Sequence, residues 1–155
     1  MSETAKYGSN SFADLGKTLN ALLADIFIVY MKTKGFHWHM TGPHFRDYHL
    51  LLDEQAGQIF AMTDALAERV RKLGLPTLAS VSDVLETGRI AEQKSLPATA
   101  PAMLEQLRRD NLELAEQLRQ AHRQCGEHDD IATVSLLETY VDETEKRIWF
   151  LTEAV

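Results

Sequence analysis

The sequence has little cysteine, proline or glycine. Among its 155 residues there are one cysteine, four prolines and eight glycines. The single cysteine, Cys125, has no partner in the chain for a disulfide and cannot build a cysteine-rich zinc site. Any metal ligands must therefore be His, Asp or Glu. The four prolines leave long stretches rich in Ala, Leu, Glu, Gln and Arg, which are typical of α-helices.

Long apolar runs and positive charge are also scarce. The longest apolar run, residues 26–31, is far shorter than the roughly 20 residues of a membrane span. The first 20 residues also lack the basic start and apolar core of an export signal, so we expect a cytoplasmic protein without a membrane segment. Sixteen Lys and Arg against 23 Asp and Glu give a net charge of −7, which attracts cations and repels phosphate backbones.

Apolar periodicity predicts two helices in the first half of the chain. Apolar residues from Phe12 to Tyr30 recur at steps of three and four, which predicts a helix from about Ser11 into residues 36–39. A second helix is expected from Pro43, placed in its first turn, to about Leu73.

Two more helices are predicted in the second half. One begins near Pro101, with Thr99 as its cap, and ends near residue 126; the other begins at Asp129 and Asp130, whose carboxylates suit a helix N-terminus. The connection from residue 76 to 101 is long enough to cross a bundle and contains a short helical candidate, Val81–Thr87. The pattern predicts an all-α, ferritin-like four-helix bundle over residues 11–155, with a short N-terminal tail at 1–10.

The second predicted helix carries two pairs of potential metal ligands. The pairs are His49-x3-Asp53 and Asp64-x3-Glu68, each separated by one helical turn. All four residues fall within one stripe roughly 100° wide beside the apolar face, so we expect them to be partly desolvated. Burying such groups without partners is costly, which favours a metal site or a buried polar network.

Distance shows that one chain cannot complete this site. Asp53 and Asp64 lie eleven residues apart, about 16 Å along a helix, whereas metal ligands lie about 2 Å from the ion. Two copies of the helix crossing antiparallel near residues 57–60 would form two mixed sites, and Gly57 permits close approach there. His37 could supply a further nitrogen.

Two imidazoles and three carboxylates suit Fe(II), Mn(II) or Zn(II) rather than Cu(I) or calcium. The sequence contains no Glu-x-x-His, the motif that places a di-iron site inside one bundle. The spacing therefore favours a site between chains.

Taken together, these motifs resemble those of Dps-type mini-ferritins, the DNA-binding proteins from starved cells. The resemblance covers nearly the whole chain, including Arg71-Lys72-Leu73-Gly74 and Trp149-Phe150-Leu151. Its most specific part is the series His37-Trp38, Gly42-Pro43-His44-Phe45, Tyr48-His49-x3-Asp53-Glu54 and Asp64-x2-Ala67-Glu68-Arg69.

The resemblance implies a hollow dodecamer with ferroxidase centres at its two-fold interfaces. His37, His49 and Asp53 would come from one subunit, and Asp64 and Glu68 from its neighbour. The implied reaction is oxidation of Fe(II) at a di-iron centre, usually with hydrogen peroxide, followed by storage of ferric oxide.

Several other polar residues have competing interpretations. His39 and His44 are possible accessory ligands, and Trp38 is either interface packing or a radical trap. His122 and His128 are expected to be solvated. The resemblance implies that an acidic group could line an ion-entry pore, and helix capping by Asp129 or Asp130 is the competing interpretation. The group consists of Glu127, Asp129, Asp130 and Glu138.

Two alternative functions remain. The first is a structural nucleoid protein that binds and shields DNA; the second is a helical scaffold whose His and Asp stripe is a polar interface network. The acidic balance, and a tail in which Lys6 is offset by Glu3, predict weak or absent DNA binding.

Overall fold

The computed structural model describes residues 9–155, which form five helices. They are α1 (Ser9–His39), α2 (Phe45–Lys72), α3 (Val81–Thr87), α4 (Ala100–Glu127) and α5 (Ile131–Ala154). The helices α1, α2, α4 and α5 form the bundle, and α3 lies against α1 in the long crossover. The predicted all-α bundle with a short extra helix is confirmed. The first helix begins two residues earlier than predicted, and residues 1–8 of the predicted tail lie outside the described residues.

The core is built from the apolar stripes of the four long helices. Each stripe recurs at helical spacing and turns inward, and burying one leucine or isoleucine fully contributes about 1.5–3 kcal/mol. No helix in residues 9–155 has the length and apolar character needed to cross a membrane. Fully buried members of the core include Leu15, Leu19, Leu22, Ile59, Leu66, Leu114, Leu118 and Leu137.

The start of α2 differs from the prediction. Pro43 is not in the first turn of the helix; it lies in the preceding turn, and His44 is the N-cap of a helix that begins at Phe45. The amide of Phe45 donates to the carbonyl of Gly42 at 3.0 Å, and Gly42 adopts a φ of 108°. This tight turn, which favours glycine, delays the helix by two residues.

The predicted caps of the last two helices are largely confirmed. The hydroxyl of Thr99 accepts from the amide of Ala102 at 3.2 Å. Of the two acidic candidates before α5, Asp130 is the cap, and its Oδ1 accepts from the amide of Thr133 at 3.2 Å. Asp129 instead adopts a left-handed φ of 55° in the turn.

Two buried charged residues of α1 hold the crossover in place. The carboxylate of Asp25 accepts from the amides of Arg89 and Ile90 at 2.6 and 2.9 Å and from the Arg89 side chain at 2.7 Å. The ammonium of Lys32 donates to the carbonyl of Ala91 at 2.7 Å and lies 2.9 Å from the buried Asp110. The path of the chain after α3 is therefore fixed against α1.

A buried arginine lies among α2, α4 and α5. Arg147 Nε donates to Asn111 Oδ1 at 3.0 Å, and its Nη2 donates to Thr144 Oγ1 at 2.7 Å. Burial lowers the pKa of this guanidinium to about 10. Because a positive charge stands at this level of the bundle, the interior here is unfavourable for a metal cation, in agreement with the missing Glu-x-x-His motif.

Candidate metal centre

His37, near the end of α1, and His49, in the second turn of α2, form a stacked pair. Their ring centroids lie 3.8 Å apart and their planes differ by 14°. His37 Nδ1 donates to the carbonyl of His49 at 2.7 Å, and His49 Nδ1 donates to the carbonyl of His37 at 2.9 Å. A carbonyl only accepts, so each Nδ1 carries a proton and each Nε2 remains available for a metal.

Asp53 lies one turn after His49 and completes this group. Its Oδ1 is 3.8 Å from His37 Nε2. The same oxygen accepts from Lys34 Nζ at 2.6 Å. The hydrogen bond and charge of Lys34, with smaller contributions from the two histidines, hold the pKa of Asp53 below its usual value. We call His37, His49 and Asp53 the first half-site.

The other two predicted ligands lie further along α2. Asp64 and Glu68 are both exposed, and Glu68 Oε2 is 3.9 Å from Lys72 Nζ. We call Asp64 and Glu68 the second half-site. In the part of a single chain that the structure describes, no three His, Cys, Asp or Glu side chains form a group able to hold a metal.

The expectation that the four residues of the α2 stripe are partly desolvated is correct for His49 and wrong for the three carboxylates in a single chain. His37 is 7% exposed and His49 is half-buried. The three carboxylates, Asp53, Asp64 and Glu68, are exposed.

Exposed apolar side chains lie near the side of α2 that carries the three carboxylates. Phe60 of α2 is 53% exposed and its ring contacts that of Tyr30, with centroids 5.1 Å apart. A neighbouring groove of about 420 Å³ runs between α1 and α3. Contiguous exposed apolar surface is typical of a protein interface. The groove is lined in part by Phe27, Met31, Val81, Leu85 and Leu96.

The contacts of two cationic residues near the predicted ligands were not predicted from the sequence. One is Lys34, which contacts Asp53. The other is Arg69, next to Glu68, whose Nη2 donates to Asp130 at 3.0 Å and whose Nε donates to Thr133 Oγ1 at 3.1 Å. Arg69 thereby ties the end of α2 that carries the second half-site to the start of α5.

Neither candidate accessory histidine joins the pair in the described residues. His39 is exposed, and its Nδ1 donates to the carbonyl of Gly35 at 2.7 Å within its own helix. The ring of His44 packs against Tyr48, with centroids 5.6 Å apart. Trp38 is 59% exposed, which leaves it available for interface packing.

Two of the remaining acidic candidates, Asp130 and Glu138, have local partners. Asp130 is buried, caps α5 and pairs with Arg69, so it is not available to line a pore. Glu138 Oε1 lies 3.0 Å from His122 Nε2. The prediction that His128 is solvated is wrong, because its ring is half-buried and packs edge-on against Phe12 at 5.5 Å.

Comparison with known proteins decides the family. The ferritin-like domain matches residues 16–155. The chain belongs to the ferritin-like family. Within that family it is a Dps-type mini-ferritin, as the relatives below show.

Three similar proteins illustrate the relationship. The DNA protection during starvation protein of Brevibacillus brevis is 31% identical over 86% of this chain and 89% of its own length. The Dps structure from Thermosynechococcus elongatus is 31% identical, with a TM-score of 0.90 over 94% of this chain and 92% of that chain. The Vibrio cholerae Dps structure is described as a member of a broad superfamily of ferritin-like diiron-carboxylate proteins. It is 28% identical, with a TM-score of 0.88 over 95% and 92% of the two chains.

Proposed function

We propose that this mini-ferritin is a ferroxidase and iron-storage protein whose active centres lie between two subunits. The observation that carries the proposal is the separation of the five proposed ligands into two half-sites: α2 carries four of them, and His37 of α1 stacks on His49. The first half-site is already assembled by the His37 and His49 hydrogen bonds. The description of the Vibrio cholerae relative as a diiron-carboxylate protein supports iron as the metal.

A two-fold axis across α2 would bring opposite half-sites together. The two half-sites of one chain are about 16 Å apart, and antiparallel crossing midway pairs each first half-site with the partner's second half-site. Gly57 lies near that midpoint, and the space above its Cα is open in the single chain. The exposed ring of Phe60 would be covered in the same interface.

The proposed reaction oxidises two Fe(II) ions with one molecule of hydrogen peroxide. Each Fe(II) gives one electron, the O–O bond breaks, and two protons from solvent complete two water molecules. Since both electrons reach one peroxide, no hydroxyl radical is released. The three carboxylates stabilise Fe(III) more than Fe(II) and thus favour oxidation, while the histidines hold the ions through Nε2.

The family resemblance extends the proposal to a dodecamer that stores ferric oxide in its cavity, in the cytoplasm. A shell of chains that each carry a net charge of −7 opposes a polyanion. We therefore propose weak or absent DNA binding, although the Brevibacillus brevis relative is named for DNA protection. A gel-shift assay at low salt tests this part, and tight nonspecific binding would favour the nucleoid alternative.

Complementation between two double variants tests the shared centre. One variant carries His49→Ala with Asp53→Ala, and the other carries Asp64→Ala with Glu68→Ala. Every centre in either pure shell lacks one half. In a mixed dimer, the intact second half-site of the first variant meets the intact first half-site of the second, which restores one complete centre.

Co-refolded shells should therefore recover part of the peroxide-dependent Fe(II) oxidation that neither variant shows alone. A mixture of the two separately refolded shells is the control and should stay inactive. If verified mixed shells recover nothing, the ligands act within one chain and the proposal is wrong.

A further inference from the structure

Lys34 places a positive charge inside the first half-site. Its ammonium lies 2.6 Å from Asp53 Oδ1, the oxygen that also faces His37 Nε2 at 3.8 Å. An ammonium at hydrogen-bond distance from a carboxylate satisfies much of the electrostatic demand that a bound metal ion would satisfy. The oxygen that Lys34 holds is therefore one that the proposed centre offers to iron.

The geometry of α1 keeps Lys34 in reach of this site. Lys34 precedes His37 by three residues, so the two side chains lie on the same side of the helix. The preceding lysine, Lys32, is buried and committed to Asp110 and Ala91. Lys34 is different, because its side chain is 22% exposed and has a path to solvent.

Among the described residues, no cation contacts the second half-site as closely as Lys34 contacts Asp53. Lys72 is 3.9 Å from Glu68, and both side chains are about 60% exposed, an arrangement that contributes little energy. The two half-sites thus differ in how strongly a lysine competes for their carboxylates.

We propose that Lys34 is a positioning residue that acts as a tethered competitor of the metal ion. In the metal-free protein it neutralises Asp53 and keeps this carboxylate beside the histidines. A divalent ion that uses Asp53 must first displace the ammonium towards solvent. Lys34 thereby lowers the affinity of the position that contains Asp53. This inference rests on the proposed function, since it assumes that Asp53 binds the metal.

Cobalt binding to the assembled, metal-free protein tests the inference without any redox reaction. Co(II) replaces Fe(II), and its visible absorption reports binding to His and carboxylate ligands. Lys34→Gln removes the charge and should bind Co(II) about three- to tenfold more tightly at the affected position. Lys34→Arg keeps the charge and should bind no more tightly than the unmodified protein.

The matched control is Lys72→Gln, which removes the exposed lysine beside Glu68 and should change Co(II) affinity less than about twofold. Equal or weaker Co(II) binding by Lys34→Gln would overturn the inference. His49→Ala and Asp53→Ala separate this failure from a failure of the proposed centre. If they abolish Co(II) binding while Lys34→Gln behaves like the unmodified protein, only the role of Lys34 is wrong. If they leave Co(II) binding intact, the centre itself is misplaced and both proposals fall.

Discussion

His37 and His49 exchange a pair of hydrogen bonds, each ring nitrogen Nδ1 donating to the backbone carbonyl of the other residue at 2.7 and 2.9 Å. The exchange links the last turn of α1 to the second turn of α2 and fixes both ring orientations. One atom of each imidazole therefore maintains structure, while the other is free to bind a ligand.

Because Nδ1 maintains the structure and Nε2 is free to bind a metal, we expect different outcomes for two substitutions of His49. Asn retains an amide donor near the position of Nδ1 but has no counterpart of Nε2, whereas Ala lacks both. His49→Asn should lose Co(II) binding and keep most of its stability. His49→Ala should lose Co(II) binding and about 1 kcal/mol more of unfolding free energy. Urea unfolding of the metal-free proteins at equal concentration measures the difference. Equal losses would show that the carbonyl contact contributes nothing.

Assembly provides a second prediction. A shared centre requires at least a dimer, and a dodecamer of 17.5 kDa chains has a mass of about 210 kDa. Light scattering at neutral pH should find the dodecamer rather than the dimer. Phe60→Glu, which places a charge in the proposed two-fold interface, should shift the population towards smaller species and reduce iron oxidation together. A stable monomer with full ferroxidase activity would contradict the shared centre.

Arg69 provides a prediction about stability. Its partner Asp130 is 8% exposed, so removing the guanidinium leaves a nearly buried carboxylate without its counter-charge. Arg69→Ala should lower the unfolding free energy by about 3 kcal/mol. Lys72→Ala, on the exposed side of the same helix, should change it by less than about 0.5 kcal/mol. Thermal unfolding compares the two, and similar effects would mean that the Arg69 pair is not stabilising.

Cys125 should be chemically inert in the folded protein. The thiol is buried, and burial together with the negative charge of Asp130 raises its pKa to about 12. At pH 8 its thiolate population is then about a thousandfold below that of an ordinary cysteine. Iodoacetamide should label the protein only after unfolding in guanidinium, as mass spectrometry would show. Rapid labelling of the native shell would mean that α4 opens near its end.

The long helices, and the placement of the proposed ligands on shared helix turns, were predictable because both follow from local spacing. The steps between Phe12 and Tyr30, and the one-turn separation of His49 and Asp53, are properties of single helices. The contact of Lys34 with Asp53 depends on how α1 packs against α2. By spacing alone, Lys34 is indistinguishable from a solvated lysine.

Loops account for most of the differences from prediction. The glycine turn at Gly42 moved the start of α2 past Pro43. The choice of Asp130 over Asp129 as a cap depends on the left-handed backbone at Asp129. Either aspartate satisfies a rule based on residue type, and only the turn geometry separates them. His128 was misjudged for a similar reason, since its burial is set by Phe12 at the other end of the sequence.

The buried Arg147 also fixes how α2 and α4 are aligned along the bundle axis. Its guanidinium meets Asn111 of α4 and lies 3.6 Å from the sulfur of Met62 in α2. If either helix slid by one turn, about 5.4 Å, the guanidinium would lose that partner while remaining in an apolar interior. Leucines that repeat along a helix tolerate such a slide, because one leucine replaces another. Arg147 makes the slipped alignments costly, and the four proposed ligands on α2 thereby keep a constant axial position relative to the rest of the subunit.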